Sequence, residues 1–316
     1  MSAYHMIPFI SQLPEVEQTI WIAALNRALP DERVIHVSEV EQVEKKHCQL
    51  AIVANPKAEL LAEFENLTWL HSIWAGVEKL MISLAESPIE VVRLIDPRLS
   101  STMAEAALAW TLYLHRDMPR YAKQQQNKHW QQHPHILASE RRIGILGLGE
   151  LGQASAKQLR KNGFQVMGWS RTKKHIAKVV TYSDNDGLAE MLSKSDILLC
   201  LLPLTPATQG LVDKAILAKL PQGSAIINFA RGGLIDNDAL ICALNSKHIS
   251  HAVLDVFDHE PLAPDSMFWQ HPDITVLPHI SAPTNQASAC EIVAKNIMQY
   301  RQTGIIPVCV DKTIGY

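Results

Sequence analysis

Arg142-Ile143-Gly144-Ile145-Leu146-Gly147-Leu148-Gly149-Glu150-Leu151-Gly152 decides the reading of this chain. The apolar run 142–146 reads as a buried strand, and the helical pattern 153–159 follows the glycines. In a loop of the form GxGxxG, the first glycine permits a tight turn and the second lets backbone approach a pyrophosphate. The third lets helix pack on strand, and the helix's first amides then face an anion. Strand, loop and helix in that order separate a dinucleotide-binding loop from a chance glycine turn. Gly147, Leu148, Gly149, Glu150, Leu151 and Gly152 are therefore the first candidate cofactor contacts.

The next predicted strand, 165–169, adds a choice of cofactor. An acidic residue at its end would bind the ribose hydroxyls of NAD. Here the chain reads Trp169-Ser170-Arg171-Thr172-Lys173-Lys174. Ser170 is neutral and compact, and Arg171, Lys173 and Lys174 supply charge suited to a 2′-phosphate. NADP is thus the expected cofactor, with NADPH preferred over NADH; a solvated basic loop is the competing reading.

Outward from this loop, apolar runs at 197–202, 224–228, 251–256 and 275–277 alternate with helical sequence, the pattern of a doubly wound parallel sheet. Toward the N-terminus, strands are expected at 6–10, 34–37, 50–53, 69–73 and 91–94, with a helix over 15–29, which makes a second α/β block. Between the blocks, 100–126 reads as one long helix with Ser100, Ser101 and Thr102 as candidate N-caps. A closing helix over 285–303 has Ala289, Ile292, Val293 and Ile297 at helical spacing.

The 316 residues, 47% of them apolar, suffice for two domains. With Lys+Arg 29 against Asp+Glu 32, no basic field exists for nucleic acid or an anionic membrane. Cys48, Cys200, Cys242, Cys290 and Cys309 form no C-x-x-C pair and read as free thiols of a reducing compartment. No secretory signal is legible at the start, and the apolar run 197–202 is far short of the roughly 20 residues that span a bilayer. A cytoplasmic protein with small-molecule partners is expected.

Three further segments put titratable residues just after predicted strands: Asn228-Phe229-Ala230-Arg231-Gly232-Gly233-Leu234-Ile235-Asp236, Leu254-Asp255-Val256-Phe257-Asp258-His259-Glu260-Pro261-Leu262 and Leu277-Pro278-His279-Ile280-Ser281. Open α/β sheets bind ligands at such strand ends. Reducing a 2-oxo acid needs a cation for its carboxylate and carbonyl, a proton donor for the developing alkoxide, and a group keeping that donor protonated. Arg231, His279 and Glu260 are the candidates.

In these motifs and their order, the chain resembles the D-isomer-specific 2-hydroxyacid dehydrogenase family over essentially its whole length. The resemblance implies two doubly wound parallel-sheet domains: a flavodoxin-like substrate domain of residues 1–100 and 284–316, and a Rossmann cofactor domain of 101–283. It assigns Arg231 to substrate carboxylate binding, His279 to proton donation and Glu260 to holding His279. It also adds Leu202, Pro203, Ala230, Asp255 and Ser281 around the cofactor, and Trp74, Ala75, Gly76 and Val77 as a substrate-carboxylate loop. Trp74 replaces a smaller residue and Glu78 a commoner Asp. Together with Ser266–Pro272 and the terminal Gly315-Tyr316, the Trp-Ser-Arg-Thr segment is similar to a branch that reduces glyoxylate or hydroxypyruvate with NADPH. The resemblance further implies a homodimer through the 100–126 helix and the aromatic arm around Trp130.

Two alternatives stay open: a dinucleotide-sensing corepressor on the same fold, and an NAD-dependent dehydrogenase of another D-2-hydroxy acid. No metal is expected, because His129, His133 and His135 lack acidic or cysteine companions and read as a solvated arm or dimer contact.

Overall fold

The structure is a computed structural model that describes residues 5–313 and 315; Tyr316 lies outside them. The chain divides into two compact units, one of residues 1–98 with 284–316 and one of 99–283.

In the first unit, strands β1 (His5–Ser11), β2 (Glu32–His36), β3 (Leu50–Ala54), β4 (Trp69–Ser72) and β5 (Glu90–Val92) form a parallel sheet of order β2-β1-β3-β4-β5. This is a flavodoxin-like order. β3 is buried throughout, which explains why its sequence is a continuous apolar run rather than an alternating one. Ala289, Cys290, Val293, Ala294 and Ile297 of the closing helix Gln286–Thr303 share a core with Trp21, Leu25 and Trp69. Asn285 starts that helix by accepting the Ser288 amide at 3.0 Å, and Gly304 stops it at φ 69°. Arg301 forms a two-pronged ion pair with Glu32, Nε to Oε1 at 2.7 Å and Nη2 to Oε2 at 3.2 Å.

The second unit holds a seven-stranded parallel sheet. Its strands are β6 (Arg142–Leu146), β7 (Gln165–Trp169), β8 (Val180–Tyr182), β9 (Ile197–Cys200), β10 (Ser224–Asn228), β11 (Ile249–Leu254) and β12 (Ile274–Val276). The order β12-β11-β10-β9-β6-β7-β8 is the doubly wound Rossmann order with one strand appended. The chain reverses direction across the sheet between β6 and β9, so the glycine loop after β6 lies at the topological switch point, where open sheets bind ligands.

Two expectations change. The 100–126 region is two helices, Pro97–His115 and Met118–Gln126, broken at Asp117 with φ 53°. Pro119 is the cause: inside a continuous helix its ring would clash with the carbonyl of His115, whereas in a first turn it is tolerated. The first helix also starts earlier, because Pro97 suits a first turn and the Asp96 carboxylate accepts the Arg98 amide at 2.8 Å. Ser100, Ser101 and Thr102 are therefore helical residues rather than caps. The second change is β8, a three-residue edge strand too short to show a pattern. Among the described residues no helix is long and apolar enough to cross a membrane.

Candidate active site

The glycine loop has the geometry its sequence demands. Gly147 sits at φ 104°. A Cβ on Gly152 would lie 1.8 Å from the Gly147 carbonyl oxygen, so helix Glu150–Lys161 approaches the loop as only glycine allows. A Cβ on Gly149 would meet nothing within 4 Å, which leaves open space before the helix's first amides. Leu202 and Pro203 follow β9 beside this loop; a Cβ on Gly147 would touch the Leu202 amide at 3.0 Å. These features fit a dinucleotide pyrophosphate.

At the end of β7 the Trp169 indole donates to the Asp184 carbonyl at 2.7 Å, and Ser170 Oγ donates to the Thr172 carbonyl at 2.8 Å. Ser170 is buried and its hydroxyl proton is spent on shaping the turn. Arg171, Thr172, Lys173 and Lys174 are exposed. The cationic character of this edge therefore resides in Arg171 and the two lysines.

Arg231, Glu260 and His279 all fall in the second unit, on loops after β10, β11 and β12. Buried Asn228 shapes the first loop: its amide donates to the Arg231 carbonyl at 3.0 Å and its Oδ1 accepts the Ala230 amide at 3.1 Å. The Arg231 guanidinium donates to the Ala230 carbonyl at 2.6 Å. A Cβ on Gly232 would fall 2.0 Å from the Phe257 carbonyl carbon, so glycine is what lets the Arg231 loop lie against the segment leading to Glu260.

Glu260 has both oxygens engaged. Oε1 accepts the Phe257 amide at 2.9 Å, and Oε2 faces His279 Nδ1 at 2.8 Å. The hydrogen bond to Glu260 raises the His279 pKa above 6.5, against desolvation and the nearby Arg231 cation, with Asp255 adding to the rise. Burial alone would raise Glu260, but His279, the Phe257 amide and Arg231 together hold it below the usual carboxylate value. With Nδ1 committed to the carboxylate, Nε2 is the His279 nitrogen left to meet a substrate.

His279 itself stands at φ 54°, a left-handed conformation uncommon for a residue with a side chain. Asp255 holds it there. Its carboxylate accepts the Ile280 amide at 2.7 Å and the Ser281 amide at 3.0 Å, and its carbonyl accepts the His279 amide at 2.9 Å. Asp255 is thus committed to the turn, a part the sequence did not reveal. Asn228 and the Phe257 amide were also missed; the only available signal for Asn228 was a polar residue ending an apolar strand. Ser281 Oγ is buried and has no hydrogen-bond partner.

Trp74, Ala75, Gly76 and Val77 lie in the first unit, after β4. The Trp74 indole meets Trp21 edge-on at 6.0 Å, its amide donates to Ser72 Oγ at 3.0 Å and its carbonyl accepts the Leu94 amide at 3.0 Å. The indole is therefore a packed side chain on the helix Glu15–Ala28.

Residues 108–281 match the family model for the D-isomer specific 2-hydroxyacid dehydrogenase, NAD binding domain. Solved structures align over nearly the whole chain. A D-isomer specific 2-hydroxyacid dehydrogenase from Xanthobacter autotrophicus Py2, in complex with NADPH and MES, is 35% identical with TM-score 0.92, covering 99% of this chain and 100% of that one. The NADPH-dependent glyoxylate/hydroxypyruvate reductase from Sinorhizobium meliloti, in complex with NADP and sulfate, is 30% identical with TM-score 0.89 and the same coverage. A probable 2-hydroxyacid dehydrogenase from Rhizobium etli CFN 42, with NADP, HEPES and tartaric acid bound, is 28% identical with TM-score 0.88, again covering 99% and 100%.

Proposed function

The chain belongs to the D-isomer-specific 2-hydroxyacid dehydrogenase family, and from that premise we propose that it reduces glyoxylate or hydroxypyruvate to glycolate or D-glycerate, with NADPH as the preferred reductant. The observation that carries the reading is the His279–Glu260 pair at 2.8 Å beside Arg231. NADPH, when bound, supplies the hydride.

This chain's residues do the rest. Arg231 offers a fixed cation to the substrate carboxylate and carbonyl oxygen, opposing the charge that builds as the carbonyl is reduced. His279, kept protonated by Glu260, delivers its Nε2 proton to that oxygen. Glu260 stabilises the imidazolium before transfer and keeps the ring aimed through Nδ1. Gly147–Gly152 would hold the pyrophosphate, and Arg171 with Lys173 and Lys174 the 2′-phosphate. Ser281 Oγ and the 202–203 segment would line the nicotinamide end. Ala75, Gly76 and Val77 would offer backbone amides to the substrate carboxylate.

Preference for NADPH rests on the absence of an acidic residue at the end of β7 and the cations that follow it. NADP-bound relatives at 28–35% identity support that choice. We also infer a homodimer through the helix Pro97–His115 and the following arm, where Leu112, Met118, Trp130, Ile136 and Leu137 remain exposed, Trp130 at 95%. Purified protein should oxidise NADPH when glyoxylate or hydroxypyruvate is added. Turnover of neither, with activity on a different 2-oxo acid, would keep the family and remove the substrate assignment.

A further inference from the structure

Glu260 ends a short turn whose shape and whose place are fixed by different contacts. The bond from the Phe257 amide to Glu260 Oε1, at 2.9 Å, closes the turn on itself and leaves its location undetermined. Three contacts with the rest of the unit supply that location. The Phe257 ring rests on buried Phe268, with centroids 5.8 Å apart. Gly232 lies against the peptide between Phe257 and Asp258, where a Cβ would fall 2.0 Å from the Phe257 carbonyl carbon and 2.3 Å from the Asp258 nitrogen. Asn237 Nδ2 donates to Asp258 Oδ2 at 2.8 Å. Apolar packing is non-directional and sets an approach distance, whereas a hydrogen bond to a carboxylate is directional and charge-assisted. The Asn237–Asp258 bond is therefore the contact that can fix the turn's orientation.

Its other end is rigid. Asn237 opens the helix Asn237–Asn245, which buries Leu240, Ile241 and Leu244. Asp236 caps that helix by accepting the Ala239 amide at 2.9 Å, and its own amide donates to the Val212 carbonyl at 3.1 Å. The Asp258 carboxylate also sits at the positive end of the helix dipole. This helix follows the Arg231 loop directly in the chain, so one bond ties the base of the Arg231 loop to the turn that carries Glu260.

We propose that Asn237 and Asp258 are a positioning pair that sets Glu260, and through it the His279 ring, in register with Arg231. The proposal rests on the reduction assigned above; neither residue touches the substrate in it.

The test separates the tether from the charge. Asn237→Ala removes the donor and keeps the Asp258 charge, with the Asp236 cap intact. Asp258→Asn removes the charge and keeps an acceptor oxygen. Asn237→Asp opposes two carboxylates, and combined with Asp258→Asn it restores the bond with donor and acceptor exchanged. Two readouts on the full chain are used: the pH profile of NADPH oxidation with whichever 2-oxo acid the parent turns over, and titration of the His279 ring resonance in ¹³C-histidine-labelled protein with NADP⁺ bound. His279 is faced by Glu260, Arg231 and Asp255, all retained in every variant. Asn237→Ala should lower kcat about three- to tenfold, a fraction of the hundredfold that a full ångström of misplacement costs, and move the alkaline limb and the His279 titration down toward 6.5. The KM for NADPH should hold, because the glycine loop and the Arg171 edge follow other strands. Asn237→Asp should lose more, the exchanged pair should recover most of it, and Asp258→Asn alone should stay near the parent. A lowered melting temperature with an unmoved limb and titration would make the pair structural only and overturn the proposal. A limb that follows Asp258→Asn but not Asn237→Ala would overturn it in favour of charge alone, as would failure of the exchanged pair to recover what Asn237→Asp loses. If the parent reduces no 2-oxo acid, the assigned reduction fails, and the His279 titration still decides the positioning.

Discussion

Replacing Asp255 with Asn exchanges one carboxylate oxygen for an amino group and changes almost nothing in volume, which isolates a single electrostatic device. In the native protein the two oxygens each accept one amide, from Ile280 at 2.7 Å and from Ser281 at 3.0 Å. Asn can satisfy one of them; its amino group then points a donor at the other. The loss is one charge-assisted hydrogen bond, about 1.5–3 kcal/mol. For a unit of this size each kcal/mol moves the melting temperature about 2–4 °C, so Asp255→Asn should melt roughly 3–12 °C lower. The same turn fixes His279 at φ 54°, and misplacing a reacting group by an ångström costs up to about a hundredfold. A kcat reduced about ten- to a hundredfold is therefore expected, together with a lower His279 pKa because Asp255 contributes to its rise. Calorimetry and steady-state NADPH oxidation measure both. A variant that melts within about 1 °C of the parent and keeps its kcat would refute the reasoning.

Glu260→Gln tests the proton donor. His279 has its folded pKa raised above its ordinary 6.5, so the pair's contribution is complete below that value and disappears as pH rises through the raised one. Removing the carboxylate should move the alkaline limb of the reduction profile to lower pH, and an unmoved limb would show that the pair does not control protonation. Gly152→Ala puts a methyl 1.8 Å from the Gly147 carbonyl oxygen. Backbone must shift, and NADPH binding followed by fluorescence should be largely lost. Arg171→Ala should weaken NADPH about ten- to a hundredfold while leaving NADH nearly unchanged; equal weakening of both would locate the arginine on adenine or on the loop. For the dimer, sedimentation should return twice the 35.2 kDa chain mass, and a single-chain mass at micromolar concentration would oppose it.

Much of this protein was legible in one dimension. Glycines at 147, 149 and 152 have few readings once a strand precedes and a helix follows, because the reasons for each are local: a positive φ and a helix–loop contact that excludes Cβ. Strands such as 142–146, 165–169 and 224–228 could be bounded from sequence because buried parallel strands are short apolar runs between polar turns. Arg231, Glu260 and His279 were identifiable as residue types at strand ends.

What only the tertiary structure decided is how those ends are held. That Asp255 spends both oxygens on the His279 turn, that Asn228 ties the Arg231 loop, and that Gly232 lets that loop meet Phe257 all depend on β10, β11 and β12 being neighbours in the sheet. Residues distant in sequence meet only through that pairing, and no local pattern encodes it. The break at Asp117 shows the complementary limit. Pro119 carries a local signal that the reading of 100–126 as one helix passed over, but whether the chain kinked or restarted at Asp117 was decided by the packed fold. Hydrogen bonds across long sequence separations are selected by the packed fold, whereas propensity and periodicity act within a few residues, so the elements were readable and their meeting points were not.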